Sequence, residues 1–254
     1  YGGLYRTKVY LANNKKEEFF ILNNDTNEIV SREGNIRDIN INFEEINNKT
    51  NIIIYHTHAT ESYIPESVNC FHSQNDKYNV LGIGKKLSQN LSKFGLNVKH
   101  IGVYNDLPSY SQSYKKSCKV VESEIEKNKK NILIDIHRDA ADKNTSYEKF
   151  LKGVTKAFVN NKTVATFALV IGGSNQNIDK LKEIAKDVKK ISDELYPGLC
   201  RDIIIRPNSY FNQDLSDYSL LIEIGSNYNT IEEAEYTCDL VSEILCETII
   251  KINN

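Results

Sequence analysis

His58 and Glu61 stand three residues apart, directly behind the apolar run Ile52-Ile-Ile-Tyr55. A helical turn or tight loop at that spacing offers one imidazole and one carboxylate to a single cation. His56, separated from His58 by Thr57 alone, adds a second imidazole. If the strand continues that far the two rings share a face; if the chain turns, only one points into the site. Two further apolar runs end in the same way. Ile132-Leu-Ile-Asp-Ile136 leads into His137, and Ser219-Leu-Leu-Ile222 leads into Glu223. In open α/β sheets, ligands bind beyond the carboxyl ends of the strands. Two His, one Glu and a further free Glu at three such ends are the parts of a hydrolytic zinc site, with one Zn2+ per chain.

Each residue also has a plainer reading. A single His after a strand generally serves packing, and His-x-x-Glu recurs by chance. His137 makes the convergence specific, because it ends a second internal strand. Around it, Asp135-Ile-His-Arg-Asp139 supplies carboxylates able to hold an imidazole in orientation, Asp135 first among them. Glu223 lies inside Leu220-Leu-Ile-Glu-Ile-Gly225, where an unpaired carboxylate is costly to bury. Alone it would be read as an ion-pair partner of Arg138 or Arg206. Beside His58, Glu61 and His137 it is expected to be the general base, its pKa raised by burial. His72 and His100 have no such company and are expected to be structural or exposed. The chain has no Gly-x-Ser-x-Gly elbow, which argues against a Ser nucleophile.

The elements that must position these residues alternate along the chain. Strands are expected near 52–55, 97–103, 131–137, 163–172, 202–206 and 219–225, and helices near 80–94, 112–129, 178–196 and 230–251. Ile178, Leu181, Ile184, Ala185, Val188, Ile191 and Leu195 recur at helical steps until Pro197-Gly198. Thr230-Ile-Glu-Glu233 reads as a capping box opening the last helix. Strands separated by such helices imply an α/β fold, a twisted and mainly parallel sheet flanked by helices. Residues 1–50 are polar and read as a short strand-rich extension, ahead of a catalytic domain over 51–254. Gly172-Gly173, with no Lys-Ser/Thr behind it, is a turn and not a phosphate loop.

Composition narrows the class. The 254 residues carry 32 basic and 34 acidic side chains, a net charge of −2. Nothing favours nucleic acid or an anionic membrane surface. The apolar runs are strand-length, short of the ~20 residues a spanning helix needs, and no signal peptide is visible. The chain starts at Tyr1 and holds no Met, so it is expected to be a piece of a longer protein. Its five Cys, at 70, 118, 200, 238 and 246, form no Cys-x-x-Cys pair. They are expected to be ordinary thiols, Cys238 and Cys246 on one helix face.

Several ordered motifs resemble the stage II sporulation protein P family of peptidoglycan hydrolases from endospore-forming bacteria. They are Tyr55-His-Thr-His-Ala-Thr-Glu-Ser-Tyr63, Asp135-Ile-His-Arg-Asp-Ala140, Tyr196-Pro-Gly-Leu-Cys-Arg201, Tyr210-Phe-Asn-Gln-Asp214 and Leu221-Ile-Glu-Ile-Gly-Ser-Asn227. The resemblance covers roughly residues 50 to 250. It implies a fold similar to zinc-dependent N-acetylmuramoyl-L-alanine amidases and, more remotely, zinc carboxypeptidases. It also implies His58 rather than His56 as the first ligand, and Glu61 as the carboxylate ligand, with Glu66 the alternative because the amidases place theirs later. The implied reaction is cleavage of the amide between N-acetylmuramic acid and L-Ala of the stem peptide. An endopeptidase or carboxypeptidase activity, or an idle wall-binding module, is the competing reading. On this basis Arg138 is expected to stabilise the oxyanion or take a stem-peptide carboxylate, and Asn212 and Gln213 to line the cleft. The family further implies septal wall degradation during engulfment, partners in sporulation proteins D and M, and an extracytoplasmic place held by an N-terminal membrane anchor outside this chain.

Overall fold

A computed structural model of the chain describes residues 20–23, 28–31, 41–68 and 70–253. Strands β1 (Phe20–Asn23) and β2 (Glu28–Ser31) form an antiparallel hairpin. Residues 1–19, 24–27 and 32–40 of the expected extension, Lys8–Ala12 included, lie outside the described residues. Helix α1 (Phe43–Lys49) opens where the Asn42 side chain accepts from Glu45 N. Its Ile46 is part of the main core, so the packed body includes residues ahead of position 51.

Strand β3 (Thr50–Tyr55) is buried along its whole length, as its Ile-rich sequence requires. Helix α2 (Val80–Lys93), strand β4 (Val98–His100), helix α3 (Ser113–Glu122) and strand β5 (Lys130–Asp139) follow. Then come helix α4 (Ser146–Val154), the hairpin β6 (Lys156–Val159) and β7 (Lys162–Ala165), and strand β8 (Phe167–Gly172). Helix α5 (Ile178–Leu195), strand β9 (Cys200–Arg206), strand β10 (Tyr218–Ser226) and helix α6 (Ile231–Asn253) complete the chain. The expected capping box is present. Glu233 N donates to Thr230 Oγ1 and Thr230 N to Glu233 Oε2, both at 3.2 Å.

The main sheet runs β4-β3-β5-β10-β8-β9. Its pairings are parallel except β10 with β8, so the sheet is mixed and mostly parallel. One face carries Ile52, Ile54, Ile132, Ile134, Ile136, Leu220, Ile222 and Ile224 against α2, α5 and α6. Fully burying each such side chain contributes ~1.5–3 kcal/mol. The other face packs Ile53, Tyr55 and Leu133 against Val121 of α3. Helices therefore load one face heavily and the other lightly, and the lightly covered face carries the site.

Two expectations are corrected. The strand read over 163–172 is two strands in different sheets. It breaks at Thr166, whose N–H donates to Thr155 O and whose hydroxyl donates to Val154 O. The helix read over 112–129 stops at Glu122, because Glu124–Lys130 is charged and offers no apolar stripe to bury. Helices α1 and α4 and the hairpin β6–β7 were not foreseen.

Candidate active site

Strand β3 ends at Tyr55 and the chain turns at once, which sends His56 and His58 to different places. The turn is held by Asp135, whose Oδ1 accepts from Thr57 N at 2.9 Å and Oδ2 from Thr57 Oγ1 at 2.6 Å. His58 and Glu61, beyond the carboxyl end of β3, then gather against His137, which sits two residues inside the carboxyl end of β5. The His58 and His137 rings meet edge to face, with centroids 5.4 Å apart. His137 Nδ1 lies 3.5 Å from Glu61 Oε2, and its Nε2 lies 3.0 Å from Asp135 Oδ2. That second approach is close but not aligned as a hydrogen bond. Glu61 Oε2 also accepts from Arg138 N at 3.0 Å.

Glu223 pairs with His137 across the parallel β5–β10 ladder and with Ala168 across the antiparallel one, placing the three abreast. Its Oε2 is buried without a partner. Burial pushes the Glu223 carboxyl up to about 8, helped by Glu61 and Asp139 and opposed by His137. Burial also acts to raise Glu61, but His137, Arg138 and His58 outweigh it and hold that carboxyl at about 2. Burial disfavours the charged form of His137, yet Asp135 and Glu61 prevail and raise its pKa well above the usual imidazole range. His58 is lowered, chiefly by burial. The metal-free site thus holds an imidazolium between two carboxylates.

Other expected residues stand elsewhere. His56 is fully buried on the far side of the turn, its Nε2 2.9 Å from His100 Nε2. Burial and His100 lower its pKa to about 3. Glu66 lies half-buried in a short 3-10 turn, and no recorded contact joins it to His58 or His137. Arg138, expected at the oxyanion or at a stem-peptide carboxylate, makes two bonds to backbone carbonyls. Its Nε donates to Ser62 O at 2.7 Å and its Nη2 to Phe71 O, so the guanidinium ties down the loop carrying Glu61. The cleft role expected of Gln213 is corrected. Its amide is buried between Val170 O and Gly172 N, closing the end of β8. Asn212 donates to Tyr114 O at 3.0 Å and to Ser117 Oγ at 2.9 Å, joining the loop before β10 to α3.

Two groups were not foreseen. Tyr110 stacks on His58 at 4.1 Å between centroids, and Tyr114 meets the same ring edge-on at 5.4 Å. Their four-residue spacing at the start of α3 was the available signal, but only the helix was read from it. His72 is held from behind, since Thr60 Oγ1 donates to Asp106 Oδ2 at 2.5 Å and lies 3.0 Å from His72 Nδ1. His72 and His100 therefore both have partners. A separate hollow of about 580 Å³, lined by Lys49, Lys129, Asn131 and Tyr218 among others, opens at the amino ends of β3, β5 and β10, away from this cluster.

The donor chemistry suits a zinc-type ion. Ligands at ~2.0–2.1 Å in tetrahedral array stand ~3.4 Å apart, close to the separation of Glu61 Oε2 from His137 Nδ1. His58 Nδ1 is buried without a partner, as expected of an atom meant for a ligand. The set is not fully drawn in, for among the described residues no group of three His, Cys, Asp or Glu stands ready to hold a metal.

These features define an open α/β domain with an imidazole–carboxylate cluster at the carboxyl ends of its parallel strands. The chain belongs to the stage II sporulation protein P family, whose sequence profile matches residues 6–246. It is 30% identical over 210 residues to stage II sporulation protein P of Bacillus subtilis (strain 168), a match taking in 77% of this chain and 50% of that protein. The chain thus spans about half the length of that relative. Solved structures with a similar course include the CwlD amidase of Clostridioides difficile in complex with the GerS lipoprotein. That match has a TM-score of 0.49 and 17% identity, covering 81% of this chain and 96% of the other. An N-acetylmuramoyl-L-alanine amidase of Nostoc punctiforme matches with a TM-score of 0.46 and 14% identity, covering 81% and 97%.

Proposed function

We propose that this chain is a zinc-dependent peptidoglycan hydrolase that cuts the amide between N-acetylmuramic acid and L-Ala of the stem peptide. The observation that carries the reading is the convergence of His58, Glu61 and His137 beside a buried, unpaired Glu223 carboxylate. His58, Glu61 and His137 would hold the ion, with Asp135 behind His137. When bound, zinc supplies Lewis-acid polarisation of the scissile carbonyl and makes water more acidic.

The protein's own residues do the rest. Glu223, whose Oε2 is buried without a partner, takes the proton of the attacking water and passes it to the leaving amine. Asp135 keeps His137 in one orientation, and Arg138 holds the loop that presents Glu61. Tyr110 and Tyr114 fix the His58 ring and shield it from water. Membership of the family supports a role in sporulation, and the proposed role there is wall degradation, with sporulation proteins D and M as partners in an extracytoplasmic, membrane-anchored setting. Among the described residues no helix is long and apolar enough to cross a membrane.

Mass spectrometry of purified peptidoglycan digested with and without a chelator tests the reading. Chelator-sensitive release of intact stem peptides, leaving free lactyl carboxyls on the glycan, is expected. Cuts confined to the peptides would make the enzyme an endopeptidase, and no cut at all would favour a wall-binding module.

A further inference from the structure

Asp139 ends β5 two residues beyond His137, so its side chain emerges on the same face as the site. Its Oδ2 accepts from Tyr147 OH of α4 at 2.6 Å and from Arg201 Nη2. Arg201 is the second residue of β9, at the irregularity where Phe167 pairs with Cys200 but Ala168 with Asp202. It is the extra residue there. Since the strands run β5-β10-β8-β9, its side chain must cross β8 and β10 to reach Asp139. The crossing runs by the row that holds Glu223, and Ala168, the small residue abreast of Glu223, leaves room for it. The guanidinium therefore stands beside Asp139, a carboxylate close enough to Glu223 to help raise its carboxyl.

Arg201 has more donors than the protein uses. A guanidinium carries five N–H groups, and the acceptors beside it are Asp139 Oδ2 and the Tyr147 hydroxyl. None of its nitrogens is among the buried atoms left without a partner, and the side chain keeps 8% of its surface exposed, so the surplus donors retain access to solvent. Arg138 differs, with Nε and Nη2 both committed to carbonyls. Asp139 and Tyr147 grip one edge of the Arg201 fork and fix its plane. The other edge has the geometry that pairs with a carboxylate through two parallel hydrogen bonds.

We propose that Arg201 is a specificity-determining residue of this site, binding a carboxylate on the peptide portion of the substrate. The proposal rests on the hydrolase reading for the identity of the substrate, and on the geometry above for the residue. The test is calorimetric binding of two synthetic stem peptides to the zinc-loaded chain, one with a free carboxylate and one with the corresponding carboxamide. The native protein is expected to prefer the acid roughly tenfold or more. Arg201→Gln should bring the two within about twofold, and Arg201→Lys should retain part of the preference. Asp139→Asn, which removes the ion pair but keeps the fork, should still discriminate.

No preference in the native protein, or a preference surviving in Arg201→Gln, overturns the proposal. So does its loss in Asp139→Asn to the same extent, which would make the pair structural. The ratio is read on one sample, so partial unfolding of a variant cancels. Binding needs no turnover. Peptidoglycan left uncut while discrimination follows Arg201 would sink the hydrolase reading alone, and cleavage without discrimination would sink this one alone.

Discussion

His137 Nε2 lies 3.0 Å from Asp135 Oδ2, and the same aspartate accepts the Thr57 amide and hydroxyl that turn the chain after β3. One carboxylate thus stands beside the His137 imidazole of β5 and shapes the turn that delivers His58. Asp135→Asn, which keeps the shape but not the charge, is expected to weaken zinc binding roughly 10–100-fold. Competition against a chromophoric chelator measures this, and unchanged affinity would remove Asp135 from the metal's support.

Replacing ligands and base should separate metal binding from rate. His58→Ala and His137→Ala are expected to lose both zinc and activity. Glu223→Gln should keep a full equivalent of zinc while the turnover rate falls at least ~100-fold. Metal analysis beside wall-digestion rates checks all three. Normal turnover in Glu223→Gln would end its assignment as base.

Zinc uptake should release protons. In the metal-free site Asp135 and Glu61 raise the His137 pKa well above the usual imidazole range, so the ring starts protonated. The ion must displace that proton, and affinity therefore rises with pH. Titrations in buffers of different ionisation enthalpy count the protons; a count of zero at neutral pH would contradict the charge state given to His137.

Gly84 faces the buried His56. A Cβ built there would lie 2.3 Å from His56 Cε1 and 2.4 Å from Nε2, and His56 has no free space to retreat into. Gly84→Ala is expected to destabilise the fold by ~1–3 kcal/mol, despite the better helix propensity of Ala. Denaturant unfolding reads the change. Because the clash lies behind the turn, the variant should also bind zinc less well.

Glu243 on α6 provides a pH test far from the site. Burial raises its carboxyl to about 7, with the Tyr196 hydroxyl working against the rise. The folded protein then binds more protons than the unfolded chain between about pH 4.5 and 7. This contribution to stability falls as pH rises through that window, on the order of 2–3 kcal/mol in all. Glu243→Gln should flatten this part of the stability–pH curve. A slope left unchanged would show that the carboxyl is not the source.

Much of the architecture was legible because strong periodicity and caps survive in any context. The Ile-rich strands, the α5 stripe and the Thr230–Glu233 box all formed where the pattern indicated. The break at Thr166 was not legible, because an apolar run carries no mark of which sheet its halves will join. Helix α4 was missed for a similar reason, since Leu151 is the one residue it buries fully. Polar side chains were the hardest to read. Arg138 and Gln213 look like site residues by type and neighbourhood, yet both satisfy backbone groups from segments remote in sequence.

The sequence by itself determined which residues could do chemistry and that three of them would stand at strand ends, because strand length and the position of the first polar residue are local properties. Only the tertiary structure decided that His58 and not His56 meets His137, that Glu223 lies abreast of that ring, and that Arg201 reaches over from β9. Those outcomes depend on strand order, register and the direction of a turn held by Asp135. Each is set by packing between segments up to about a hundred residues apart, beyond the reach of any local pattern.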